Sequence, residues 1–215
     1  LAYVQSLLAF LGWAETGRDP VGLLETALDK ARRAIALDGK NAMAHMALGR
    51  VLLAMAKPDD AIAAMERALD LNPSMTLAYF GLGMAQNISL RPQDAIANLD
   101  KAIALSPQDP ASFAFHTVRG LAALQLGDFE TALENARRAV RENTPYVLPS
   151  AVLASCLALL GRAVEAKEAL QNVFSIDPTF TPLKALATLS PLDPDALLEC
   201  METWIEGLRK AGLDA

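Results

Sequence analysis

Apolar and small residues recur along the chain with a period of 34 residues, and each period carries the pattern of two helices. The dipeptide Leu48-Gly49 returns as Leu82-Gly83. Alanines seven residues apart lie on one face of a helix, and such a pair follows each dipeptide. Repetition at this period is typical of proteins built from stacked repeats. The two alanine pairs are Ala61 with Ala68 and Ala95 with Ala102.

The same spacing divides the whole chain into units. Three extra residues near positions 108–112 separate the second clear copy from the third. Because one repeat cannot bury its own apolar face, stacking of neighbours must supply the core. The predicted units are 1–41, a degenerate opening repeat; 42–75, 76–109, 113–146 and 147–180, here called repeats 1 to 4; and 181–215, a C-terminal cap.

The two ends of the chain also follow helical spacing. Asp193 and Pro194 are good residues to begin the last helix, and Gly212 to end it. Pro145 and Pro149 predict that the first helix of repeat 4 begins late or irregularly. The cap is expected to have a polar outer face. The helices predicted at the ends are 1–13, 23–37, 181–189 and 195–211.

The pattern of small, small, small and proline at unit positions 8, 20, 27 and 32 resembles the tetratricopeptide repeat. Repeats 1 and 2 match it fully, and repeats 3 and 4 match in register with departures at Pro145 and Val173. Gly127 and Gly161 stand where first helices end, a place for positive φ. The resemblance implies an all-α fold: a right-handed α-α superhelix of about five helix pairs plus C-terminal capping helices.

A second resemblance concerns the setting of the repeats. The ending from Gly207 to Leu213, the Gly12-Trp13 start and the insertion before repeat 3 are similar to the C-terminal repeat region of bacterial class III adenylate or guanylate cyclases. The same type of region follows winged-helix DNA-binding domains in transcriptional regulators. This resemblance implies a regulatory part of a longer signalling protein, with its effector domain N-terminal. The start at Leu1 fits that expectation.

Charge and cysteine content oppose several kinds of binding surface and site. The net charge of −6 opposes a general nucleic-acid or anionic-membrane surface. With Cys156 and Cys200 as the two cysteines, neither a disulfide framework nor a metal-spaced cluster is expected. Residues 1–13 have no basic start or cleavage site of a signal peptide. We therefore expect a cytoplasmic protein without nucleic-acid or membrane partners.

The sequence shows no motif that indicates catalysis, a cofactor or a metal. His45 and His116 both occupy unit position 4. A shared metal or proton site is one interpretation. The other is that each fills the slot where the repeat usually packs an aromatic ring, and we favour it. This segment is therefore predicted not to be an enzyme.

What remains is binding. By family resemblance, unit positions 2, 5, 9, 12 and 13 of the first helices line a concave groove. An amphipathic helix or peptide or the chain's own terminal helices could bind there, the groove could pack on itself or on a second copy, or it could hold a small apolar ligand. The candidate binding residues are Met43, Met46, Arg50, Leu53, Leu77, Phe80, Met84, Asn87, Thr117, Leu121 and Gln125; repeat 4 adds Leu148, Ala151, Ser155, Ala158 and Leu159.

Overall fold

The computed structural model describes residues 20–142, 146–189 and 197–213, and this part of the chain is helical with no strand. Short turns join the helices, so neighbouring helices run antiparallel. In chain order they are α1 (Pro20–Leu37), α2 (Ala42–Ala54), α3 (Pro58–Leu71), α4 (Thr76–Ile88), α5 (Pro92–Leu105), α6 (Ser112–Gln125), α7 (Phe129–Arg141), α8 (Val147–Leu159), α9 (Ala163–Ile176), α10 (Pro182–Leu189) and α11 (Glu202–Ala211).

Local sequence signals explain where these helices begin. The side chains of Asn41 and Asp128 accept hydrogen bonds from backbone N–H groups in the first turns of α2 and α7. Pro58 and Pro92 lie in the first turns of α3 and α5. The missing proline N–H costs nothing there, because the first N–H groups of a helix have no partner inside it.

The helices stack as an all-helical solenoid. Each first helix (α2, α4, α6 and α8) packs against the second helix of its own repeat and against the second helix before it. Within a repeat the two helices approach closely at the small residues. A Cβ on Gly83 would lie 2.7 Å from Leu99 Cγ and 3.2 Å from the carbonyl oxygen of Ala95. The repeated alanines are fully buried, so the spacing read from the sequence marks the contact between paired helices.

Two predicted helix starts need correction. The first helix of repeat 4 begins at Val147, the first residue of its unit, because Pro149 stands in the first turn, where its N–H would be unpaired anyway. The last α-helix begins at Glu202 and not at Asp195; residues 197–201 form a turn before it. The predicted helix over residues 1–13 and the Asp193-Pro194 start lie outside the described residues.

The turn after each first helix requires a left-handed backbone at unit position 15. Gly127 and Gly161 have φ of 73° and 74°, as predicted, and Gly212 ends α11 with φ of 106°. In repeats 1 and 2 the same position holds Ala56 and Leu90, with φ of 55° and 56°. A Cβ is sterically disfavoured in this conformation, which glycine adopts without strain. The first two turns are therefore under more strain than the last two.

Replacing Leu90 with glycine should stabilise the protein. Left-handed φ costs a residue with a Cβ roughly 1–2 kcal/mol, while the flexibility that glycine adds to the unfolded chain offsets about 0.4–1 kcal/mol. Since the Leu90 side chain is 50% exposed, little burial is lost. We expect Leu90→Gly to raise the free energy of unfolding by about 0.5–1 kcal/mol in urea titrations. Gly127→Ala should lower it; a loss for Leu90→Gly would contradict the strain argument.

Candidate functional site

The inner face of the solenoid is formed by the first helices. Consecutive first helices contact one another along the array, as expected on the shorter, concave side of a superhelix. The candidate residues lie on these helices. The structure places them in three environments: Met46, Leu53, Phe80, Met84, Asn87, Thr117 and Leu121 are buried; Arg50, Leu77 and Gln125 are partly buried; and Met43 is exposed.

Several of these residues pack the interior of the chain itself. The ring of Phe80 contacts the ring of Phe115 in the next repeat, with centroids 4.9 Å apart and planes at 45°. Met46, Met84 and Leu121 belong to the same continuous apolar cluster. Of the alternatives left open by the sequence, self-packing therefore describes most of the apolar candidates in this structure.

A segment at the C-terminus lies against the groove. Residues 197–213, here called the C-terminal segment, contain α11, which packs along α8 and also contacts α6 and α9. Gln125 Nε2 on α6 donates a hydrogen bond of 2.8 Å to the carbonyl of Cys200. Ser155 Oγ on α8 donates one of 2.9 Å to the carbonyl of Trp204. The first helices of repeats 3 and 4 thus hold the C-terminal segment on their inner side.

The C-terminal segment is amphipathic, and its apolar face is turned inward. Outward-facing charges give the polar outer face expected of a cap, with Lys210 Nζ 2.6 Å from Glu206 Oε1. The buried residues recur every three or four positions, which is the spacing of one helix face. They are Leu197, Cys200, Met201, Trp204, Ile205, Gly207, Leu208 and Ala211.

The closest approach of this segment to the groove is at Gly207. A Cβ at this position would clash with Ser155 Oγ and would also lie 2.8 Å from the backbone oxygen of Ser155 and 2.9 Å from its Cα. Backbone atoms inside a helix cannot move aside as a flexible side chain can. The contact therefore requires glycine, whose lack of a Cβ permits one backbone to approach another.

The border of this contact contains polar atoms without partners. Asn87 is fully buried, yet neither its Nδ2 nor its Oδ1 has a hydrogen bond among the described residues. The same holds for Gln125 Oε1 and Trp204 Nε1. Gln125 Nε2 bonds to the carbonyl of Asn87 at 3.0 Å as well as to the carbonyl of Cys200, so Asn87 and Gln125 lie next to the start of the segment. Each unpaired buried group costs about 1–3 kcal/mol.

Asn87→Leu should therefore stabilise the chain. Leucine has a similar volume and has no polar atom to desolvate, so the free energy of unfolding should rise by about 1–3 kcal/mol in chemical denaturation. Asn135→Leu is the matched control. Asn135 is also buried, but its Oδ1 lies 3.0 Å from His116 Nδ1 and its Nδ2 donates to the carbonyl of Thr131. That variant should lose stability; equal losses at both sites would show that Asn87 is satisfied in solution.

The two thiols report whether the groove contact is closed. Burial raises the pKa of the Cys156 thiol from its ordinary value of 9.0 to about 12, and that of Cys200 to about 11. Only the thiolate reacts with alkylating agents. Above about pH 9 the unfolded chain releases thiol protons that the folded chain retains, so stability should decrease as the pH rises further.

At pH 8, iodoacetamide should label Cys200 of the folded chain about 100-fold more slowly than Cys200 of the unfolded chain. The thiolate fraction falls about tenfold for each unit of pKa, and burial also blocks access. Labelling followed by mass spectrometry measures both cysteines at once, and Cys156 should react more slowly still. Rapid labelling of Cys200 alone would mean that the C-terminal segment is detached.

The histidines are explained by local packing. His116 is buried against Asn135, and His45 Nε2 lies 3.0 Å from the carbonyl of Gly39. Among the described residues, no three His, Cys, Asp or Glu side chains come together as a potential metal site. The two histidines thus have separate structural partners.

In the described ranges no helix combines the length and apolarity needed to cross a bilayer.

Part of this site could be foreseen from the sequence. Gln125 and Ser155 lie on the groove side, where the repeat positions put them, and each contacts the C-terminal segment. The chain's own terminal helices are one of the predicted occupants, but the sequence does not single out Trp204, Gly207 or Cys200 as groove contacts. The apolar spacing of the last helix shows that one face is buried, but it does not show against which part of the chain.

Solved structures with similar architecture support the fold. The structure of PilW, a widely conserved type IV pilus biogenesis factor, matches with a TM-score of 0.70 and 18% identity over 96% of this chain and 90% of that one. Pseudomonas aeruginosa PilF matches with a TM-score of 0.67 and 20% identity over 96% and 88%. YrrB, a tetratricopeptide repeat protein with an unusual peptide-binding site, matches with a TM-score of 0.58 and 23% identity over 84% and 90%. At these identities the likeness shows the fold alone.

Sequence comparison identifies the family. No curated protein matches the chain as a relative. The family model described as tetratricopeptide repeat matches residues 46–110 and 117–175, more than half of the chain. These ranges cover α3 to α5, α7 and α8 in full, with most of α2, α6 and α9. The chain belongs to the tetratricopeptide repeat family.

Proposed function

We propose that this chain is a non-catalytic protein-interaction module that receives an amphipathic α-helix on its concave face. The observation that carries the proposal is the C-terminal segment, whose helix α11 lies against α6 and α8 with its apolar face inward. A groove that holds one helix by packing and hydrogen bonds has the shape and chemistry to hold another. Helix binding in an apolar groove is a common mode of peptide recognition.

The module would serve as the regulatory C-terminal part of a larger bacterial signalling protein. The supporting observation is the resemblance of the chain ends and the insertion to the repeat regions of cyclases and winged-helix regulators. The peptide-binding site named for YrrB adds a precedent for peptide recognition within this architecture. Under this proposal the module acts in the cytoplasm, and any nucleotide chemistry or DNA binding belongs to the effector domain and not to these repeats.

The two alternatives have less support. An apolar-ligand sensor would need a pocket lined by Met46, Phe80, Met84 and Leu121, but these side chains are in the packed core. A cavity of about 320 Å³ between α9 and the end of α11 is lined by other residues, including Lys167 and Phe174. A homodimer would use the exposed apolar side chains instead. Light scattering over a concentration series separates a homodimer from the monomer that we expect.

The test uses a labelled peptide as the incoming helix. Gly207→Val in the full chain places side-chain atoms against the backbone of Ser155 and should release α11 from the groove. A fluorescein-labelled peptide with the sequence of residues 197–213 should then bind this chain, as measured by fluorescence anisotropy. The unchanged chain should bind it at least tenfold more weakly, because its own segment competes at an effective concentration on the order of millimolar.

Glu206→Val is the matched control for this experiment. It introduces the same side chain one residue away, on the exposed face of α11, and should leave the groove occupied. Its anisotropy curve should coincide with that of the unchanged chain. If the Gly207→Val chain keeps its helical circular dichroism but does not bind the peptide, the proposed function is wrong.

A further inference from the structure

Among the described residues, the hydrogen bonds from the groove to the C-terminal segment go to its backbone and not to its side chains. Gln125 Nε2 donates to the carbonyl of Cys200 and Ser155 Oγ to the carbonyl of Trp204. The Cys200 carbonyl lies in the turn before α11, and the Trp204 carbonyl lies in the first turn of α11. A carbonyl has two lone pairs, so that of Trp204 can accept such a bond in addition to its own helical one.

Gly207 also faces Ser155, three residues after the carbonyl that Ser155 binds. The helix backbone there approaches the backbone of α8 so closely that a Cβ would contact both the oxygen and the Cα of Ser155. Large apolar residues flank this crossing, with Trp204 one turn before it and Leu208 directly after it, and both are buried. The contact thus combines backbone hydrogen bonds, one obligatory glycine and apolar residues on either side.

We propose that repeats 3 and 4 recognise a partner α-helix through its backbone, and that the partner must carry glycine three residues after the carbonyl bound by Ser155. This inference rests on the proposed function and states which helices the groove accepts. The partner helix has an aromatic residue, glycine, leucine and alanine at the spacing of Trp204, Gly207, Leu208 and Ala211. Its outward-facing residues are free to vary, because the groove does not contact them.

The C-terminal segment occupies this position when no partner is present. A tethered segment competes strongly because of its high effective concentration. However, it leaves the Asn87 amide, Gln125 Oε1 and Trp204 Nε1 unpaired. A partner helix whose side chains bond to the Asn87 amide and Gln125 Oε1 gains an advantage that the chain's own segment lacks, so exchange is possible without new apolar contacts.

Three labelled peptides test the proposal on the full Gly207→Val chain. The first has the sequence of residues 197–213. The second carries Gly207→Leu, and the third carries glutamine in place of the outward-facing Glu202, Glu206, Arg209 and Lys210. We expect the third to bind within about threefold of the first, since charges on an exposed face contribute little. The second should bind at least tenfold more weakly, because its side chain meets the backbone of α8.

A change in the groove separates the two components of recognition. Ser155→Ala in the Gly207→Val chain removes the hydroxyl donor and should weaken binding of the first peptide about fivefold, typical for loss of one hydrogen bond. It should not restore binding of the Gly207→Leu peptide, because the conflict with the backbone oxygen and Cα of Ser155 remains after Oγ is removed. Restoration would show that the side chain of Ser155, and not the close backbone approach, excludes the larger residue.

The outcomes distinguish this inference from the proposed function. If the first peptide binds and the Gly207→Leu peptide binds equally well, recognition through the backbone is wrong while helix binding stands. If no peptide binds the folded chain, both are wrong. If the Gly207→Val chain dimerises in light scattering and excludes the peptide, a second copy fills the groove and the partner proposal fails. Should that variant unfold, Trp204→Ala in the full chain replaces it as the receptor.

Discussion

Phe80→Ala should lower the free energy of unfolding by about 3–5 kcal/mol, the usual cost of removing a buried aromatic ring and leaving a cavity. Phe80 is 4% exposed, and its ring packs against Phe115 of the next repeat. The ring therefore joins repeats 2 and 3, and its loss weakens an interface on which the stacked array depends. Urea unfolding followed by circular dichroism measures the change.

Met43→Ala is the natural comparison, because both residues occupy groove positions in the repeat. Met43 is 53% exposed, so its truncation should change the free energy of unfolding by no more than about 0.5 kcal/mol. The contrast tests whether the inner face at repeat 2 is core or binding surface. A loss below about 1 kcal/mol for Phe80→Ala, well under the range for a buried ring, would show that the ring is exposed in solution.

Trp204→Ala should cost a comparable free energy, but the loss of stability should be confined to the C-terminal end. Its side chain is 1% exposed and is the largest fully buried side chain of the C-terminal segment, so about 3–5 kcal/mol of local stability should be lost. Because each repeat contacts only its neighbours, such a loss can open one end of the array while the rest stays folded. Hydrogen exchange should therefore increase in residues 197–213 and change little in α2 to α5.

Alkylation of Cys200 gives an independent measurement of the same opening. In the Trp204→Ala chain, Cys200 should react at a rate approaching that of an exposed thiol, whereas Cys156, buried in α8, should stay protected. Leu198→Ala is the control, since Leu198 lies in the same segment and is 40% exposed. If Trp204→Ala leaves Cys200 protected, Trp204 does not anchor the segment.

The repeat architecture was predictable because each contact that defines it joins residues at a fixed, short distance along the chain. Gly83 and Ala95 lie on the two helices of one repeat, and the close approach between these helices follows from their small side chains. The positive φ of Gly127 and Gly161 was predictable for the same reason, since a local turn demands it. The strained turns at Ala56 and Leu90 could not be predicted, because neither alanine nor leucine favours a left-handed conformation.

The sequence by itself determined the helix pairs, their turns and the family of the fold, because these depend on periodicity within and between adjacent units. The occupancy of the groove was decided only by the tertiary structure. The hydrogen bonds from Gln125 to Cys200 and from Ser155 to Trp204 join residues 75 and 49 positions apart. Whether such residues meet depends on the curvature of the whole stack, which accumulates from small rotations between repeats and has no local signature in the sequence.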